Sequence, residues 1–98
     1  MCNIYVSASR ASYESTSRSV RIQGVVTSIR LENKFWQLLD QMAAREHFTT
    51  PQFINQLYTE LMASQDGVTN FTSFLRVSCS IYLANPELQE APLFAEAS

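Results

Sequence analysis

One stretch of this chain, Arg18 to Leu31, limits its possible folds more than any other. Val20 and Ile22 alternate with Arg21 and Gln23, and Gly24 interrupts the register. Val25, Thr27, Ile29 and Leu31 then alternate with Val26, Ser28 and Arg30. A period of two with β-branched enrichment is the pattern of extended strand. Gly24 suits a bulge or turn between two short pieces. A lone strand leaves its backbone N–H and C=O groups unpaired, and an isolated two-stranded ribbon is marginal in water. On this reading the connection at Gly24 is too tight for a hairpin. The sequence therefore predicts that strand 25–31 pairs with the same strand of a second chain about a two-fold axis.

From Asn33 the period becomes helical. Phe35, Trp36, Leu39, Met42 and Ala43 form one stripe, with Lys34, Gln37, Gln41 and Arg45 opposite. This first helix is expected to run to about Glu46 or His47. Thr49-Thr50-Pro51-Gln52 marks a second start, with a Thr cap, an early proline and Gln52 placed for a capping box. Phe53, Ile54, Leu57, Tyr58 and Leu61 make its stripe, and Asp66-Gly67 is the expected end. A third helix begins near Thr69 or Asn70 and stops at Asn85-Pro86, because proline cannot continue a hydrogen-bonded helix. Phe71, Phe74, Leu75, Val77, Cys79, Ile81, Tyr82 and Leu83 cover most of its circumference, and a helix so apolar needs burial on several sides.

A chain of 98 residues is one domain at most, with a thin core. The expected division is an N-terminal arm over 1–17, the strand-and-helix domain over 18–84, and an acidic tail over 85–98. The fold class is mainly α, β-α-α plus a third apolar helix, in an intertwined homodimer joined by an intermolecular antiparallel ribbon.

The formal charge of −2 argues at face value against nucleic acid, but the charges are segregated. Arg10, Arg18, Arg21, Arg30 and Lys34 face only Glu14 and Glu32 in the first 34 positions, a local balance of +3. From Phe35 onward the balance is −5. Segregation of this kind builds a positive surface on an acidic protein.

Catalytic and metal chemistry lack the necessary groupings. His47 has no ligand partner at useful spacing, and the only glycines are Gly24 and Gly67, too few for a phosphate loop. Cys2 and Cys79 lie 77 positions apart, which fits two thiols in a reducing cytoplasm. Cys79 sits among apolar residues and is expected to be inert. No apolar run is long enough to span a bilayer, and Met1 to Tyr5 lack the pattern of a secretory signal. No enzyme activity and no cofactor are expected.

Thr27-Ser28-Ile29-Arg30-Leu31 leads into a helix with Phe35-Trp36, then Ala43-Ala44-Arg45-Glu46, a Thr-capped helix and Asn70-Phe71-Thr72-Ser73-Phe74-Leu75-Arg76. This succession resembles the ribbon-helix-helix superfamily, and more narrowly a bacterial branch with an extra C-terminal helix. The resemblance spans about residues 18–84. It implies a homodimer whose paired strands enter the DNA major groove, as in many transcriptional repressors and antitoxins.

With Ile29 and Leu31 turned into a core, Val26, Ser28 and Arg30 turn out. They are the expected base-facing residues, Arg30 matching both acceptors of a guanine and Val26 a thymine methyl. Arg18, Arg21 and Lys34 are expected at phosphates, with Arg10 on the arm. Thr49 and Thr50 are added because a helix N-terminus is a natural phosphate site. Ile29, Leu31, Phe35, Trp36, Leu39, Leu57 and Phe74 are the expected dimer core. One Arg, one Ser and one Val make a sparser groove face than such repressors often carry, so the predicted salt dependence is shallow. The alternative reading is a dimerisation or adaptor module, with the third helix or the acidic tail engaging a protein partner.

Overall fold

The computed structural model describes residues 6, 7, 9–64 and 70–90. One helical turn, α1 (Arg10–Tyr13), leads into β1 (Ser15–Ile22), which turns back as β2 (Val25–Glu32). Three helices follow, α2 (Asn33–Arg45), α3 (Thr50–Ala63) and α4 (Phe71–Ala84), and a 3-10 turn over Pro86–Gln89 ends the described chain. The expected strand-then-helices architecture with an additional helix is present. Asp66-Gly67, the expected end of the second helix, lies outside the described residues, as do Cys2 and the last eight positions.

The strand pairing differs from expectation. β1 and β2 form an antiparallel hairpin within one chain, from Ser15 opposite Glu32 to Ile22 opposite Val25. Gln23 and Gly24 make the connection, with φ of 49° and 86°. Two successive positive φ values are those of a type I′ turn, whose twist matches that of the flanking strands. Two residues are therefore sufficient. Gln23 takes a conformation that side chains rarely adopt, and its N–H donates to Asn55 Oδ1 of α3 at 2.8 Å. The connection expected to be too tight for a hairpin thus forms one within the chain. Within the stretch read as an arm over 1–17, α1 is followed by the start of β1 at Ser15.

The three main helices lie on one face of the hairpin. Val20 and Ile22 from β1 join Ile29 and Leu31 from β2 over Trp36, Leu38, Leu39, Met42 and Ala43 of α2. Phe53 and Ile54 of α3 and Leu75, Cys79 and Tyr82 of α4 complete the core. Ile29, Leu31, Trp36 and Leu39, expected in a core shared by two chains, are thus buried within one. Phe35, Leu57 and Phe74 are partly buried against the same cluster.

Helix ends follow the sequence signals closely. Thr49 Oγ1 accepts from the Gln52 N–H while Gln52 Oε1 accepts from the Thr49 N–H, a complete capping box. Asn70 Oδ1 caps α4 by accepting from the Ser73 N–H at 3.1 Å. At the end of α2 the Phe48 N–H reaches Ala43 O and the His47 N–H reaches Ala44 O. With His47 at φ 63°, this is a left-handed helix stop in which histidine takes the place usually given to glycine.

α4 is only half covered. Leu75, Cys79 and Tyr82 are buried, whereas Val77, Ile81 and Leu83 are about half exposed. The tail does not leave the core at once. Leu88 packs against it, and Gln89 Nε2 donates to Tyr82 O.

Candidate nucleic-acid interface

The hairpin has two chemically different faces because alternate side chains point to opposite sides. The inner face is apolar and roofed by helices. The outer face carries Ser17, Ser19 and Arg21 from β1 and Val26, Ser28 and Arg30 from β2, all of them exposed. The register sets Ser17 opposite Arg30, Ser19 opposite Ser28 and Arg21 opposite Val26. The three expected base-facing residues therefore lie side by side on an open surface. Arg21, expected near phosphates, shares that face with them.

The remaining expected contacts are dispersed. Arg18 belongs to the inner alternation. Its guanidinium lies 4.4 Å from the centre of the Trp36 ring, and its two terminal nitrogens donate to Asp40 Oδ1 and Oδ2 at 2.9 and 3.2 Å. Cation–π and ion-pair geometry together hold it to α2. Thr50 Oγ1 donates to the same Asp40 carboxylate at 2.6 Å. The Arg18 guanidinium, aided by the Thr50 hydroxyl, holds the Asp40 carboxyl below its ordinary value against the opposing effect of burial.

The N-terminus of α3 is correspondingly engaged. Thr49 caps it, Pro51 has no N–H, and the Gln52 and Phe53 amides donate to Thr49. An anionic carboxylate beside Thr50 also opposes a phosphate there. Thr49 and Thr50 are structural at this end, and neither stands on the outer face. Lys34 is exposed on α2, close to the end of β2.

Charge pairing sharpens the contrast. Glu32 accepts from Arg76 Nε at 3.0 Å, and its carboxyl is held low by a hydrogen bond from its own backbone N–H and then by Arg76. Asp40 is likewise paired with Arg18. Arg21 makes one exposed bond, to Gly24 O at 3.1 Å, and no ion pair among the described residues. Among the described residues neither carboxylate forms an ion pair with Arg21, Arg30 or Lys34, although Glu32, next along the same face, feels the charge of Arg30. The outer face is therefore locally positive on a chain of net charge −2.

Ser17 and Ser19 are missed by the sequence reading, which divides β1 between an arm and an unpaired strand. A signal for them is present. Ser19-Val20-Arg21-Ile22 and Ser28-Ile29-Arg30-Leu31 repeat one pattern at a nine-residue spacing.

Residues 15–83 match the model of a family described as the ribbon-helix-helix domain. The solved structure of an uncharacterized protein from Bordetella pertussis Tohama I is similar, with 40% identity and a TM-score of 0.87. The similarity covers 97% of this chain and 81% of that one. No curated protein matches.

Proposed function

This chain belongs to the ribbon-helix-helix domain family, and from that premise we propose that it is a dimeric DNA-binding protein acting as a transcriptional regulator. Family membership supports a DNA-binding or regulatory role, and such domains typically dimerise and are typically non-enzymatic. The observation that carries the reading is the outer hairpin face. It is a two-stranded ribbon with exposed arginine and serine side chains, and a B-DNA major groove about 12 Å wide admits such a ribbon. Arg30 reads a guanine through its fork of donors, Ser28 bonds a neighbouring base, and Val26 meets a thymine methyl. Lys34 supplies phosphate neutralisation. Arg18, tied to Asp40 and Trp36, is a positioning residue for the ribbon.

A mobility-shift titration against a genomic fragment library tests this. Retarded species are expected at low salt. Lys34 of each protomer, two in the dimer, gives a slope of log K against log salt of about −2, since each neutralised phosphate contributes about −0.9. No retardation at micromolar protein and low salt refutes the reading.

The exposed half of α4 favours a second reading. Val77 and Ile81, one helical turn apart, present adjacent apolar side chains to solvent, which fits an adaptor module that binds a protein partner. Polar substitution of that pair then removes function, and substitution of Ser28 and Arg30 leaves it intact.

A further inference from the structure

The outer face carries a symmetry that the proposed function does not need. The register sets Ser19 opposite Ser28. A two-fold axis through that pair, perpendicular to the sheet, carries each β1 residue onto the β2 residue nine positions later. It lays Ser19 on Ser28, Val20 on Ile29, Arg21 on Arg30 and Ile22 on Leu31. Buried residues fall on buried ones and exposed residues on exposed ones. Packing explains the apolar half of the repeat, because both strands must fill one core. It does not explain Ser19 and Arg21, which are exposed and contribute nothing to that core.

Resting on the DNA-binding reading above, we infer that β1 reads DNA bases together with β2, so that both strands of each hairpin carry specificity. Ser19 and Arg21 of β1 read base edges as Ser28 and Arg30 of β2 do. Arg21 and Arg30 lie two residues from the axis in opposite directions, so about 14 Å of strand separates them at roughly 3.4 Å per residue. Base pairs rise about 3.4 Å each, so the matching target is a short inverted repeat with guanines on opposite strands about four base pairs apart. Arg21 gives up one exposed hydrogen bond, to Gly24 O, in order to reach its base. The symmetry is broken in the same two pairs, where Ser17, opposite Arg30, corresponds to Val26, opposite Arg21. A thymine methyl is therefore favoured on one side only.

The test is selection from a random duplex library with the full chain and its R21K, R30K and S19A variants. Lysine keeps the charge and removes the two-pronged donor geometry. The wild type is expected to recover an inverted repeat, with R21K and R30K each losing about ten-fold or more in preference at opposite halves of it. S19A is expected to relax the base beside the Arg21 position. All these residues are exposed, and far-UV circular dichroism checks that each variant keeps the fold. If R30K alters base preference while R21K and S19A select the wild-type sequence, β1 is only a support and the inference is overturned, with DNA binding by β2 intact. If the wild type retains no duplex, both readings fall.

Discussion

Two arginines three residues apart on one strand, Arg18 and Arg21, meet opposite fates. Arg18 points to the helices, stacks over Trp36 and binds Asp40. Arg21 points away from them with one exposed bond to the turn. The chemistry of the two side chains is identical, and the alternation of the strand decides between them. The inner face of the hairpin is stability, and the outer face is available surface. Mutations on adjacent residues of β2 should separate the two sharply.

The largest expected effect is on the inner face. Leu31 is fully buried at 0% exposure. Leu31→Ala should cost about 2–5 kcal/mol, read as a lower denaturation midpoint with an unchanged denaturant slope. Next comes the neighbouring outer position. Arg30→Ala with Ser28→Ala should leave stability within about 0.5 kcal/mol and abolish sequence-specific retardation of DNA. If the outer pair proves as destabilising as Leu31→Ala, the division between the faces is wrong.

Legibility follows the same division. The alternation at 25–31 is visible in the residues themselves, and it places Val26, Ser28 and Arg30 outside and Ile29 and Leu31 inside. The capping box at Thr49 and Gln52 and the stop before Pro86 are equally legible, because each is local chemistry between near neighbours. The hairpin is not. A type I′ turn is announced by Asn-Gly or Asp-Gly, and Gln23 offers no such sign. Its stabilising contact to Asn55 comes from a helix 32 positions away. Without the hairpin, Ser17 and Ser19 have no place on a groove face. Arg18 reads as a phosphate contact for a related reason. Its partners, Trp36 and Asp40, lie on an element that period alone cannot position against the strand.

A smaller effect concerns acid. The Asp40 carboxyl is held below its ordinary value by Arg18. A depressed carboxylate contributes stability that is fully present above the unfolded value, about 3.9, and is lost as pH falls through the folded one. Wild type should therefore lose this contribution below about pH 4, and Arg18→Ala should flatten that part of the acid limb. The pair is nearly half exposed, so the effect at neutral pH is under about 1 kcal/mol. Arg21→Ala should leave the acid limb as it is, which keeps the comparison between the two arginines strict.

The smallest expected change is at the turn. Gln23→Asn suits the positive φ better and should raise stability by a few tenths of a kcal/mol, read as a higher denaturation midpoint. Gly24→Ala acts in the opposite sense. Nothing lies within 4 Å of the added carbon, so its cost of about 1 kcal/mol would be backbone strain alone.

The central claim, that the outer hairpin face is the DNA surface, is tested most directly by amide shift mapping of isotopically labelled protein titrated with a retained duplex. The largest shifts should fall on Ser17, Ser19, Arg21, Val26, Ser28 and Arg30, with Lys34 at the margin. Shifts centred instead on Val77, Ile81 and Leu83, with the hairpin unmoved, would contradict it.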